Sequence, residues 1–158
     1  MHTQTAIFPG SFDPFTVGHE SLVKRGLLFF DKIVVAIGYN TSKKGFISPK
    51  NRLEMIREIF LGEPRVEVKL YTGLTVNFCK DNDIKFILRG LRTAADFEYE
   101  RAIGHMNNLM ETDIETVFLL TQPEHSPISS TIVRDILLHG GDVSKFVPNV
   151  ELLKKYLD

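Results

Sequence analysis

The chain has 158 residues, 43% of them hydrophobic, which suits one domain spanning residues 1–158 around one sizeable core. With 19 basic and 20 acidic side chains the formal net charge is -1, so there is no electrostatic footprint for duplex nucleic acid or an anionic membrane. The single cysteine, Cys79, makes neither an internal disulfide nor a CxxC metal motif, and Met1 to Thr5 has no signal-peptide pattern, so a cytoplasmic protein is expected. No apolar run approaches membrane-spanning length.

Strand-like and helix-like segments alternate without repeats or low complexity, the rhythm of a parallel α/β sheet. Thr3 to Phe8 reads as the first strand, and Leu22, Val23, Leu27 and Phe30 then fall on one face at helical spacing. Between them runs Phe8-Pro9-Gly10-Ser11-Phe12-Asp13-Pro14-Phe15-Thr16-Val17-Gly18-His19. Gly10 and Gly18 let backbone amides approach a ligand closely, and a helix N-terminus favours negative charge, so the loop suits a phosphate faced by His19. An ordinary Pro/Gly turn followed by a solvated histidine is the competing reading.

Ile33 to Ile37 reads as a strand buried on both faces, followed by Thr41-Ser42-Lys43-Lys44-Gly45, a loop with two lysines at the sheet edge. Asn40-Thr41-Ser42 also matches a glycosylation sequon, an accidental match without secretion. Ser48 and Pro49 supply an N-cap and a first-turn proline for a helix presenting Leu53, Ile56 and Phe60. Val66 to Leu70 makes a third strand, with a short helix near Thr75 to Asn82, and Phe86 to Leu88 makes a fourth. Val76 and Phe78 beside Cys79 suggest a buried thiol.

The fourth strand ends in Arg89-Gly90-Leu91-Arg92, whose two forked guanidiniums match phosphate oxygens; a salt bridge to Glu98 or Glu100 is the alternative. A helix over Asp96 to Met110 is predicted to turn Ala102, Ile103, Met106, Leu109 and Met110 inward. Thr116 to Leu120 makes the fifth strand. Ser129 and Ser130 are candidate caps of a helix that carries Ile132, Val133, Ile136 and Leu137 and stops at Gly140 and Gly141. A last helix lies near Val150 to Leu157. The expected fold is α/β, a Rossmann-like, doubly wound parallel five-stranded sheet with flanking helices and ligands beyond the carboxyl ends of the strands. His2, His105 and His139 have ordinary explanations at a terminus, within a helix and near a helix C-terminus.

Four of these segments, in this order, resemble the phosphopantetheine adenylyltransferases of the HxGH nucleotidyltransferase superfamily, which also contains class I aminoacyl-tRNA synthetases. The first loop resembles the GxFDPxTxGH signature, with Thr16 where the superfamily has its first histidine. Ser42-Lys43-Lys44 resembles the SKK triplet, Arg89 to Glu100 the RGLRxxxDFEYE block, and Ile128-Ser129-Ser130-Thr131 the ISS[ST] motif that stands for the synthetases' KMSKS loop.

The resemblance implies adenylyl transfer from ATP to 4'-phosphopantetheine, giving dephospho-coenzyme A and pyrophosphate. It implies catalytic roles for His19, Lys43 and Arg92, and acceptor binding by Ser11, Lys43, Thr75 and Arg89. ATP would meet Ser11, Phe12 and His19, then Gly90, Leu91, Arg92 and Glu100, and finally His125, Ser126, Pro127, Ile128, Ser129, Ser130 and Thr131. It also implies a homohexamer. Mg2+ is expected to be held mainly by the nucleotide, since no carboxylate cluster with metal spacing appears.

Two departures concern the organic parts of the substrates. His125 stands where many members of the family carry tryptophan, and Thr72-Gly73-Leu74-Thr75 lacks the common acidic residue and methionine. The rival readings are another HxGH transferase, using nicotinamide mononucleotide or making a cytidylyl-activated alcohol, and a flavodoxin-like module that binds a nucleotide without catalysis. The DFEYE block and the absence of an RTxGIST motif weigh against the first; tolerance to loss of His19 or Lys43 would mark the second. Neither a Walker lysine motif nor a GxGxxG run is present.

Overall fold

Five parallel strands form the centre of the computed structural model, which describes residues 3–157; His2 lies outside them. Strand β1 (Thr5–Gly10) lies between β2 (Lys32–Gly38) and β4 (Phe86–Leu91), with β3 (Val66–Tyr71) beyond β2 and β5 (Glu115–Leu120) beyond β4. The order β3-β2-β1-β4-β5 means that the chain winds outward one way, returns, and winds outward the other way. Such a sheet has a crevice outside the carboxyl ends of its strands where the winding reverses, here between β1 and β4.

The reversal is also a physical gap. β1 pairs with β2 along its whole length, from Thr5 to Gly10, but with β4 only at Ala6 and Ile7. Pro9 has no N–H to extend the ladder, and its carbonyl instead accepts from Arg89 Nη1 at 2.6 Å. The first strand runs two residues past Phe8, its predicted end, because Pro9 and Gly10 pair with Ala36 and Ile37 of β2, and on the β4 side its proline opens the crevice. β4 likewise continues past its predicted end through Arg89, Gly90 and Leu91, which pair with Phe118, Leu119 and Leu120.

Apolar periodicity explains the two cores. Ile33 to Ile37 are all nearly inaccessible. Ile33, Val35 and Ile37 join the larger core, under α1 (Val17–Gly26), α2 (Pro49–Ile59), α5 (Ser130–Leu138) and α6 (Val150–Tyr156). Val34 and Ala36 face a smaller core with Val76 and Cys79 of α3 (Thr75–Asp81). The Cys79 thiol is fully buried, which pushes its pKa up to about 11. Ser48 caps α2 with Pro49 in its first turn, and Ser129 caps α5. Among the described residues no helix is long and apolar enough to cross a membrane.

The helix α4 (Ala94–Met110) forms where the sequence places it but faces the other way. Met106 is 57% exposed and Leu109 76%, Ala102, Ile103 and Met110 are exposed too, and the buried residue of the helix is Glu100. Its less exposed stripe is Asp96, Glu100, Gly104 and Asn107, spaced at helical intervals. The polar stripe faces the sheet and crevice because Glu100 has an arginine to meet there, and the apolar stripe, apart from Ile103 at the crevice edge, is left outside.

Candidate active site

The start of α1 is fixed by Thr16 and His19 together. Thr16 is the N-cap, its hydroxyl accepting from His19 N–H at 3.4 Å, while Thr16 N–H donates to His19 Nδ1 at 3.0 Å. This reciprocal capping box holds the imidazole in one orientation. It also assigns the tautomer: Nδ1 accepts, so in the neutral ring Nε2 carries the proton. The ring packs against Phe12 and Phe15 with centroids 5.0 and 5.3 Å away. Burial first, and then the positive charges of Arg89 and Arg92, lower its pKa from 6.5 to about 3. At neutral pH His19 is an uncharged N–H donor.

Phe12 supports the ring from below. It adopts a left-handed φ of 49° and is almost fully buried, so it props His19 with its side chain and only borders the cavity. Gly10 is required above it, because a Cβ there would lie 2.8 Å from Phe12 Cζ.

A cavity of about 330 Å³ opens over this loop. Ser11, His19, Arg89, Gly90 and Arg92 border it on the sheet side, and Ser129, Ser130 and Thr131 border it at the start of α5. Two helix N-termini thus meet one space, since Gly18 of α1 lines it as well. The α5 hydroxyls also make bonds within the protein. Ser129 Oγ accepts from Ile132 N–H at 3.2 Å, Ser130 Oγ donates to Pro14 O at 2.8 Å, and Thr131 Oγ1 accepts from Arg134 at 3.3 Å. What α5 offers an anion is its backbone and dipole, together with the O–H groups of Ser129 and Thr131, which accept but do not donate in these bonds.

Both arginines have carboxylate partners. Arg89 donates through Nε and Nη2 to Glu100 at 2.8 and 2.5 Å, which makes Glu100 the salt-bridge partner foreseen as an alternative; Glu98 pairs with Arg101 instead. Arg92 Nε pairs with Asp96 at 3.2 Å. Asp96 and Glu100 also line the cavity.

A second lobe of about 310 Å³ shares Pro9, Gly10, Ser11, Arg89 and Glu100 with the first, so the Arg89–Glu100 pair stands in the wall between them. Thr75 lines this lobe, with its hydroxyl 2.9 Å from Tyr71 Oη. Ile103, Gly104, Asn107 and Tyr71 line it too, and sequence reasoning missed them. For Asn107 a signal was available: it continues the Asp96-Glu100-Gly104 stripe.

Other sequence-named residues are not on these walls. Lys43 is exposed on the loop after β2, and Leu91 is buried in β4 with no lining position. Ser126 Oγ donates to Arg92 O at 3.4 Å from outside the lining, and Pro127 is exposed. His125 and Ile128 do line the first lobe. His125 ends a short 3-10 turn (Pro123–His125) that the sequence did not signal, and its Nδ1 is buried without a partner among the described residues.

The cytidylyltransferase-like family matches residues 7–136. The chain is 53% identical over 150 residues to a phosphopantetheine adenylyltransferase of Flavobacterium johnsoniae, covering 95% of this chain and 98% of that one. It is 50% identical over 143 residues to a phosphopantetheine adenylyltransferase of Phocaeicola vulgatus, covering 90% of this chain and 94% of the relative. A crystal structure from Vibrio parahaemolyticus, of a protein assigned as a nicotinate-nucleotide adenylyltransferase, superposes with a TM-score of 0.68 over 99% of this chain and 100% of its own. At 19% identity that likeness speaks for the Rossmann-like nucleotidyltransferase fold alone. Identity near one residue in two along almost the whole length does more: this chain belongs to the phosphopantetheine adenylyltransferases.

Proposed function

We propose that the two-lobed crevice transfers the adenylyl group of ATP to 4'-phosphopantetheine, forming dephospho-coenzyme A and releasing pyrophosphate. The observation that carries this reading is the convergence of two helix N-termini, Arg89, Arg92 and the Nε2–H of His19 on the gap between β1 and β4. Such a space suits a polyanion. The larger lobe takes ATP, its phosphates against Ser11, Gly90, Arg92 and the amides of Ser129 to Thr131, with Leu91, Ser126 and Pro127 supporting that wall from outside the lining. His125 and Ile128 border the nucleoside. The second lobe takes the pantetheine arm along Thr75, and Arg89 at the junction holds the acceptor phosphate.

A phosphate oxygen of the acceptor forms a bond to the α-phosphorus while the α–β bridging bond breaks, and the electron pair leaves with pyrophosphate. No protein nucleophile takes part. His19 is not a base for a serine, because its lone pair already accepts from Thr16 N–H. The protein contributes position and charge. Neutral His19 donates from Nε2 to the α-phosphoryl oxygen as charge builds there, and Arg92 and Lys43 supply positive charge. Lys43 reaches the phosphates from its exposed loop. Arg89 and Arg92 exchange their Glu100 and Asp96 partners, in part, for phosphate oxygens.

Among the described residues no three histidine, cysteine or carboxylate groups stand where they could hold a metal together. Mg2+ would be held mainly by the nucleotide, where it would neutralise phosphate charge. The protein works in the cytoplasm as a homohexamer, with the exposed apolar stripe of α4 as part of the contact.

Pyrophosphate release with Mg-ATP and a panel of acceptors tests the assignment. 4'-Phosphopantetheine supports release, whereas nicotinamide mononucleotide and glycerol phosphate do not. Comparable turnover with either of those two would overturn it.

A further inference from the structure

Asp13 is a buried carboxylate with no part in the chemistry above. It is 8% exposed and lines neither lobe. Its two oxygens accept from the backbone N–H groups of Phe46 and Ile47, each at 2.8 Å. Those amides close the loop that carries Lys43. The other end of that loop is fixed at Asn40, whose Oδ1 accepts from Ser42 N–H at 2.9 Å and whose carbonyl accepts from Lys43 N–H at 3.2 Å. Lys43 and Lys44 are the exposed crest between the two anchors.

Arg52 of α2, 4% exposed, completes the link from the opposite direction. Its Nε donates to Ile47 O at 3.0 Å and its Nη1 to Ser11 O at 2.5 Å. Asp13 thus belongs to the phosphate loop and grips the Lys43 loop, while Arg52 grips one carbonyl of each. The charge of Asp13 favours the charged form of Arg52 against the burial that opposes it. Gly45 leaves the link room: a Cβ there would lie 3.0 Å from Ile47 O and 3.1 Å from both Arg52 Nη2 and Asp13 Oδ2. Burying two charges is a poor way to gain stability, but charge-assisted bonds to backbone fix two loops in one geometry.

We infer that Asp13, together with Arg52, is a positioning residue that sets the Lys43 loop against the phosphate loop, so that one charge and one aligned acceptor meet the same phosphorus. The inference rests on the reading that Lys43 acts at the transferred phosphate.

A double-mutant cycle tests it, with kcat and the KM for ATP measured for Asp13→Asn, Lys43→Ala and the pair. Asparagine keeps the shape but turns an NH2 toward one of the two amides, which loosens the loop. Asp13→Asn lowers kcat by on the order of tenfold to a hundredfold, as expected for a small misplacement of a catalytic group. The KM for ATP changes by less than about threefold, because nucleotide binding is left in place. In the Lys43→Ala protein the same change costs less than about twofold, since the two act as one unit. A full repeat of the kcat loss in that background would overturn the inference while leaving the role of Lys43 intact. If Lys43→Ala alone left kcat unchanged, the reading beneath the inference would fail first. Should Asp13→Asn not fold, Gly45→Ala, which disturbs the same link from the other side, replaces it in the cycle with the same outcomes.

Discussion

His19 is kept neutral by its burial and by the arginines beside it. The folded chain resists its protonation down to about pH 3, whereas an unperturbed imidazole takes up a proton near 6.5. Below pH 6.5 the unfolded chain therefore binds a proton that the folded chain refuses. The stability that His19 contributes is complete above 6.5 and is lost progressively as pH falls toward about 3. An NMR titration of the imidazole in the free protein checks this: the His19 resonances should hold their neutral positions from about pH 8 to about pH 5, and a midpoint near 6.5 would contradict the buried neutral ring. His19→Ala should lower kcat by on the order of a hundredfold or more, with a much smaller effect on ATP binding. An equal loss in binding, with none further in kcat, would make His19 a holder of substrate only. The position of this histidine was legible from a strand, a glycine-containing turn and a helix start. Its tautomer was not, because that depends on Thr16 N–H pointing at Nδ1, a matter of cap geometry. The same limit applies to Ser130: its place at a helix start offered it as a cap, but its hydroxyl donates to Pro14 O on a distant loop, while Ser129 caps α5.

Among the elements, α4 shows what periodicity can and cannot give. Its apolar residues repeat at helical spacing, which located the helix, but spacing alone does not say which stripe meets the sheet. Glu100 settles that through Arg89, and Tyr99, Met106, Leu109 and Met110 are left on the outside. Exposed apolar surface of this kind on one face marks a contact surface. Leu109→Glu, at a 76% exposed site, should split the proposed hexamer in light scattering while circular dichroism of the fold stays unchanged. An unchanged assembly mass would remove α4 from the contact. The strand ends were harder to read for a related reason. β1 runs on through Pro9 and β4 through Arg89 and Gly90 because a neighbouring strand accepts them, and that neighbour is distant in sequence.

The whole molecule joins two anion-attracting helix starts to a gap in a sheet that reverses its winding there. Alternation of strands and helices was enough to infer the parallel sheet, and the four motifs fall at its carboxyl edge. The division into two lobes was not legible, since Tyr71, Thr75 and Asn107 come from separate elements and meet only through the sheet order. Nor was the distance of Lys43 from the walls, which reflects how the loop after β2 is anchored. We propose that this arrangement transfers the adenylyl group directly by placing acceptor and nucleotide in line. The stereochemical course at the α-phosphorus tests it most directly, using ATP made chiral there by sulfur and 4'-phosphopantetheine as acceptor. One in-line displacement predicts a dephospho-coenzyme A phosphorothioate with inverted configuration; retention, or no transfer to this acceptor, would contradict the account.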